Sequence, residues 1–210
     1  KRAAVENEGK LVEAQQRMGE LEEMASVMFD RVVRAGLAPQ DSLMVERARE
    51  GSAEVTALAL AALADGSLDE GRLFDDNYVE VPGTNPRLYR NRFSDWADAN
   101  WRPVLDRIMA SDPNIIATVC DDRNGFLPTH LSDRSHAPTG EYSHDLQYCR
   151  NGRIIYNAID KRIKNSDAPY SMAVYRYEGD GKQYRVVRLA SVPILIKGRR
   201  WGDYEISYAV

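Results

Sequence analysis

The three histidines of the chain, His130, His136 and His144, fall within one stretch, DRNGFLPTHLSDRSHAPTGEYSHD, at residues 122–145. Imidazole ligates metals, moves protons near neutral pH and hydrogen-bonds small molecules, so the stretch admits three chemistries. A zinc centre needs three or four N, S or O ligands converging at about 2.0–2.3 Å, and Asp133, Glu141 and Asp145 stand near enough in sequence to complete one. The spacing argues the other way. Five and seven residues separate the histidines, with Pro138 and Gly140 among them, which describes a loop and not the i, i+4 presentation of a helical metal motif. No metal ligand is therefore assigned, and no cofactor is named, although heme held through His130 is a further reading of that residue. Catalysis has still less to rest on: the chain has no GxSxG elbow, no HExxH and no glycine-rich phosphate loop before a helix. The expectation is a protein that is not an enzyme.

A ligand pocket asks for less, namely an apolar cavity with a few convergent polar groups. The segment 140–165 offers Tyr142, Tyr148, Arg150 and Arg153, and the strand-like SMAVYRYEG offers Tyr175 and Tyr177. Guanidinium beside phenol suits a carboxylate or other small planar anion, because it gives paired, directional hydrogen bonds. Each residue has a plainer alternative. Arg150 and Arg153 would equally form surface ion pairs with Asp145 or Asp160, and Tyr175 and Tyr177 share a strand face with Ala173 that would suit the core. His136 and His144 read as solvated loop residues, and Trp201 as a packing anchor. The expected pocket is thus His130, Tyr142, Tyr148, Arg150, Arg153 and Tyr175.

The elements that must position these residues follow from periodicity. Leu11, Ala14, Met18, Leu21, Ala25, Met28 and Val32 alternate three- and four-residue spacings, a heptad seam of about three repeats. It serves either a dimeric coiled coil or one amphipathic helix packed on its own domain, and Ala35-Gly36 and Pro39 end it. Asp41-Ser42 reads as the cap of a second helix running to Asp65-Gly66, whose latter half, VTALALAALA, is apolar nearly all round and so should be buried. Ser67 with Glu70 forms a capping-box pattern for a short turn through Leu73, and Asn85-Pro86 reads as the cap and first residue of a helix carrying Leu88, Phe93, Trp96 and Trp101. From Asn114 the period changes. IIATVCDD, the turn Asn124-Gly125 and FLPTH read as strand, turn and strand; 140–165 reads as short helices or ordered loop. SMAVYRYEG, YRVVRLASVPILIK and DYEISYAV read as three more strands, divided by Gly179-Asp180-Gly181 and Lys197-Gly198. In the last, Tyr204, Ile206, Tyr208 and Val210 alternate with Asp203, Glu205 and Ser207. The sum is an α+β fold: helices, two strands, a helical crossover and three antiparallel strands.

Composition bounds the class. With 43% hydrophobic residues, a mean hydropathy of -0.50 and no apolar run of membrane-spanning length, the chain reads as folded and soluble. Its opening, KRAAVENEGK, lacks the apolar centre of a secretion signal. The net charge of -4 conceals an asymmetry: residues 1–84 carry 9 Lys/Arg against 17 Asp/Glu, and residues 85–210 carry 19 against 15. The basic excess of the second half favours an anionic ligand but is too diffuse for nucleic acid. Cys120 and Cys149, without a CxxC pair, point weakly to a reducing compartment.

Three blocks in one order, DRNGFLPTH, PTGEYSHDLQYCRNGRIIYN and SVPILIKGRRWGDYEISY, resemble the Cache-like or PAS-like module at the C-terminal end of some bacterial methyl-accepting chemotaxis proteins. The pattern of that module runs DxNGYxPTHN, then LTGDYxxDxxxNRxKRIF, then VPIxVxGRHWGGFRIGY. The resemblance covers 114–210, and FDDNYVEVPGTNP at 74–86 is similar to the family's approach segment. Departures fall at Leu131, where the pattern often has Asn, at Ser135-His136, across Cys149-Arg150-Asn151-Gly152-Arg153, and at Asp203, where it has Gly. The resemblance implies an N-terminal helical connector at 1–36, a helical lead-in at 37–110 and a sensor core at 111–210 built on a five-stranded antiparallel sheet with a helical crossover. It implies a cytoplasmic chemoreceptor module that binds a small ligand between sheet and crossover, pairs as a homodimer through its N-terminal helices and acts on the receptor's signalling region. The alternatives are a structural or dimerisation module without ligand, or a metal- or heme-binding sensor.

Overall fold

In the computed structural model, which describes residues 2–177 and 185–209, α1 (Arg2–Arg34) runs the length of the heptad pattern and stops before Gly36, whose φ is 73°. The helix α2 (Pro39–Asp65) ends on Gly66 in the left-handed conformation, as expected, but opens earlier than the sequence suggested. Proline in a first turn forfeits no intrahelical bond, so the helix starts at Pro39. Asp41 is then free to reach the sheet, where it accepts from Arg188 Nη1 at 2.9 Å and from Tyr208 Oη at 2.7 Å. The short α3 (Glu70–Leu73) is capped by Asp69, whose side chain accepts from Arg72 N at 2.8 Å, and not by Ser67. No helix starts at Asn85-Pro86: that peptide is cis, and the segment between β1 (Val79–Glu80) and β2 (Tyr89–Arg90) closes a two-stranded antiparallel sheet. Phe93, Trp96 and Trp101 instead belong to the entry and bodies of α4 (Ser94–Asn100) and α5 (Arg102–Ala110), with Pro103 in the first turn of the latter.

The main sheet has four strands, β3 (Ile115–Asp122), β4 (Ser171–Tyr177), β5 (Arg185–Ile196) and β6 (Arg199–Tyr208), in the order β3-β6-β5-β4 and antiparallel throughout. The expected fifth strand, FLPTH, does not form. Asn124-Gly125 makes its tight turn, with Gly125 N donating to Asp122 O at 3.0 Å and a φ of 77° that only glycine adopts freely. Beyond Phe126 the chain then leaves β3. Leu127 N donates to Arg153 O, and Gly152 N to Leu127 O, both at 2.9 Å, while Pro128 has no N–H for a ladder. Phe126 O still accepts from Asp122 N of β3, but beyond it the backbone of this segment is met by residues 152 and 153 of the crossover and by Arg102 of α5. That crossover carries α6 (Tyr142–Tyr148) and α7 (Ala158–Lys164), in agreement with the reading of short helices. The expected turn at Gly179-Asp180-Gly181 lies outside the described residues.

Helices cover one sheet face and the crossover covers the other. A stripe of small residues on α2, with Ala48, Gly51, Ser52, Ala59 and Ala62 all buried, lets the helix close on β5 and β6. A Cβ at Gly51 would stand 2.3 Å from the Tyr204 ring. Around it the aromatic residues lock: Trp101 and Trp201 meet edge-on with centroids 4.7 Å apart, Phe93 lies 4.9 Å from Trp101, and the indole N–H groups donate to Val55 O and Leu73 O at 3.0 and 2.8 Å. Such satisfied, close-packed indoles are the expected state of buried tryptophan.

The helix α1 serves the edge of the sheet. The outward backbone groups of edge strand β4 meet side chains: Ser26 Oγ donates to Val174 O at 3.0 Å and accepts from Val174 N at 3.1 Å, and Asp30 Oδ1 accepts from Met172 N at 2.8 Å. Glu22 pairs with Arg176 at 2.8 Å. An edge covered in this way is closed to strand addition. The heptad seam takes no part, and Leu11, Met18, Leu21, Met28 and Val32 all remain exposed. Replacing Trp201 by Ala removes the anchor of the aromatic group and is expected to lower the unfolding free energy by about 3–5 kcal/mol, read from urea denaturation followed by far-UV circular dichroism.

Candidate functional site

The loop that follows β3 is held by α5. Arg102 Nε donates to His130 O at 3.0 Å and to Thr129 Oγ1 at 3.3 Å, and Asp106 accepts from Ser132 N at 2.9 Å and from Ser132 Oγ at 2.6 Å. His130 is thereby buried, and Leu131 N donates to its Nδ1 at 2.8 Å. With Nδ1 accepting, the neutral ring carries its proton on Nε2, which leaves no lone pair for a heme iron or zinc. Burial, and then the nearby guanidinium groups of Arg150, Arg134, Arg153 and Arg102, hold His130 well below the usual imidazole pKa. It is a neutral donor in a positively charged corner.

A capping box starts α7. The Asn157 side chain accepts from Ile159 N and Asp160 N, at 2.8 and 3.2 Å, and Asp160 Oδ2 accepts from Asn157 N at 2.7 Å. One turn on, Lys164 is buried and its Nζ lies 2.6 Å from Asp121 Oδ2 of β3 and 3.2 Å from Asp203 Oδ2 of β6. Arg200 braces the same carboxylate, 2.5 Å from Asp203 Oδ1. The close approach of β6 to β3 depends on Gly202, where a Cβ would stand 2.0 Å from Asp121 O.

Between the sheet and this crossover lies a cavity of about 190 Å³. Ile116, Leu127, Ile159, Val187 and Leu189 form apolar walls, Arg134, Arg150 and His130 line one part, and Asp121, Asp160 and Glu205 line another. The three carboxylates place oxygens within 4.8 Å of one another, and their side chains are at least nine-tenths buried. Among the described residues, Asp121 Oδ1, Glu205 Oε1 and Arg150 Nε have no hydrogen-bond partner. Burial is the leading cause of the displaced carboxyl pKa values. It pushes Asp121 up to about 7 despite the attraction of Lys164, with Asp203 adding to the rise; Glu205 goes well above the usual range, and Asp160 also rises. Burial works against the charge of Lys164 as well, but Asp121, Glu205 and Asp203 together raise its pKa and keep it protonated.

Of the residues expected at a pocket, His130, Arg150 and Tyr175 line the cavity, the last with its hydroxyl 3.1 Å from Ser207 Oγ. Tyr142, Tyr148 and Arg153 are not among the lining residues. Tyr142 is exposed, Arg153 is half-buried and donates to Leu146 O, and Tyr148 stacks on His136 with centroids 5.4 Å apart, with His144 at 5.0 Å. Among the described residues neither Arg150 nor Arg153 makes an ion pair with Asp145 or Asp160. Asp145 is taken up otherwise: it accepts from Thr139 N at 2.8 Å, Thr139 Oγ1 at 2.9 Å and Gly140 N at 2.9 Å, bonds that hold its pKa below the usual carboxyl range.

Two sets of potential metal-ligating atoms occur among the described residues, the cavity carboxylates and His144 with Asp145 and Cys149. Neither brings the three histidines together. Sequence reasoning missed Asp121, Asp160, Lys164 and Glu205. Two signals were available: the Asn157-x-x-Asp160 box, and the polar alternation of β6, which in antiparallel sheets ordinarily marks a solvated face and here faces the cavity. In comparisons with known proteins, no family model matches the chain, and no curated protein matches it.

The carboxylates carry a pH signature. A carboxyl whose folded pKa is raised binds its proton more tightly folded than unfolded. Its stabilising contribution is complete below the unfolded pKa and is lost as pH rises through the folded one. The contribution of these carboxyls to the unfolding free energy is therefore expected to fall between about pH 4 and about pH 7, the window set by Asp121, while His130, held below its usual pKa, contributes in the opposite sense. In urea titrations at stepped pH, the difference between the parent chain and Glu205→Gln, which keeps His130, is expected to show the carboxyl decline.

Proposed function

We propose that the chain is a ligand-sensing module of the kind found in bacterial chemoreceptors, and that it binds a small metabolite in the cavity between sheet and crossover. The observation that carries this reading is the set of buried polar groups with no partner among the described residues, Asp121 Oδ1, Glu205 Oε1 and Arg150 Nε, in residues lining one cavity. Buried polar atoms are nearly always bonded, and desolvating one without a partner costs about 1–3 kcal/mol, so the arrangement is better suited to a polar guest than to self-packing. The volume lies below the roughly 300–1,000 Å³ typical of drug-sized ligands, which favours a compact metabolite.

The connection to a partner runs through β4. Ala173 of that strand is buried under the crossover and Tyr175 lines the cavity, while Met172 and Val174 are bonded to α1. A ligand that favours one arrangement of β4 therefore acts on the strand that seats the helix. The exposed seam of α1, with Leu21 at 64% and Met28 at 62% exposure, supports a paired helix in a homodimer as the second part of the reading. Among the described residues, no helix is long and apolar enough to cross a membrane.

A thermal-shift screen against amino acids, carboxylates, nucleobases and divalent metals tests the pocket. A ligand at 100 times its Kd is expected to add about 2.7 kcal/mol of stability, and Arg150→Ala is expected to abolish the shift; a flat response across the panel would favour the ligand-free structural module. Light scattering on the double variant Leu21→Glu with Met28→Glu is expected to give a monomer where the parent chain gives a dimer.

A further inference from the structure

At one end of the cavity the charges do not balance. Four buried carboxylates, Asp121, Asp160, Asp203 and Glu205, surround two cations, Lys164 and Arg200, and both cations are already engaged: Lys164 with Asp121 and Asp203, Arg200 with Asp203 and with the carbonyl oxygens of Ile163, Lys164 and Ser166. Asp160 spends Oδ2 on the cap of α7. Asp121 Oδ1 and Glu205 Oε1, on side chains 4% and 7% exposed, accept from nothing. An ionised buried carboxylate without a partner is costly; protonation of Asp121 and Glu205 relieves that cost, and a guest that brings donors and positive charge relieves it in the proton's place. The cavity's other polar lining has the opposite character. Arg150 Nε is buried without an acceptor, Arg134 stands beside it, and four guanidinium groups surround the neutral His130 ring.

We infer that the ligand is a small zwitterion whose protonated amine is held by Asp121, Glu205 and Asp160 and whose anionic group is held by Arg150. The arrangement matches both ends by charge. An ammonium has three donors and no acceptor, which suits oxygens that only accept, and a guanidinium suits a carboxylate or phosphate. Apolar walls from Ile116, Leu127, Ile159, Val187 and Leu189 leave room for a short carbon skeleton between the two. A metal ion would supply the positive charge but would leave Arg150 and the apolar walls without a role.

This inference rests on the cavity being the binding site, and isothermal titration of the full chain separates the two claims. The probes are the proteinogenic amino acids and a short ω-amino-acid series, each compared with its deaminated carboxylate and its decarboxylated amine, together with magnesium, calcium and zinc. The expected result is binding of at least one zwitterion, at least about tenfold weaker for both of its truncated partners. Glu205→Gln and Asp121→Asn, each checked for folding by circular dichroism, should weaken the zwitterion by about tenfold or more and leave any binding of the bare carboxylate unchanged. Carboxylates that bind as well as their amino counterparts would overturn the zwitterion while keeping the cavity as the site. Binding of a divalent metal alone would also overturn it, assigning the positive charge to an ion, and no binding by any probe would sink the sensor reading with it.

Discussion

The ion pair between Lys164 and the two aspartates Asp121 and Asp203 is the contact on which the arrangement of this fold turns. It joins the last turn of α7 to the two strands at one side of the sheet, β3 and β6, beneath a crossover that also meets the sheet through apolar residues such as Ile163 and through hydrogen bonds of Arg162 and Arg200. Pairs this deeply buried are poor sources of net stability, because desolvation offsets most of the attraction, but losing one partner leaves a stranded charge. Their value is geometric. Lys164 has one place to go, and with it the crossover stands off the sheet at a height that leaves a cavity instead of a collapsed interface. Gly202 has the same consequence from the other side, since it brings β6 against β3 and so sets Asp203 and Glu205 beside Asp121.

Much of the scaffold was legible because it is written in local patterns. The helix ends at Gly36 and Gly66, the strand IIATVCDD, the turn at Asn124-Gly125 and the three late strands all follow from periodicity and turn chemistry. What escaped depends on contacts distant in sequence. FLPTH has the composition of a strand, but its hydrogen bonds go to residues 152 and 153, which no local pattern announces. Asp41 has the look of a helix cap, and its actual partners are Arg188 and Tyr208 at the opposite end of the chain.

The lining of the candidate cavity was legible by half, and for a related reason. His130, Arg150 and Tyr175 were found because histidine, arginine and tyrosine advertise binding chemistry in a loop or strand. The acidic side was missed because Asp203 and Glu205 alternate with Tyr204 and Ile206 in the manner of an ordinary solvated face. Only the crossover, arriving from residues 126–164, turns that face into an interior. Tyr148, by contrast, had the right chemistry and found other company in His136 and His144.

The bonds between α1 and the sheet have an energetic scale of their own. The ladder from β3 to β4 is complete without the helix, and α1 is fastened to the edge strand by side chains, Ser26 twice and Asp30 once on the backbone of Val174 and Met172 and Glu22 on Arg176, while Val33 and Phe29 root its C-terminal end in the core. A neutral hydrogen bond of this kind is worth about 0.5–1.5 kcal/mol and one to a charged group about 1.5–3 kcal/mol, and inverting a two-state equilibrium from 1:99 to 99:1 takes about 5.5 kcal/mol. Releasing one or two of these bonds therefore lies within the energy that one small ligand can supply, while unravelling the sheet does not. The helix can in this way loosen along β4 while its rooted end stays with the core of the domain.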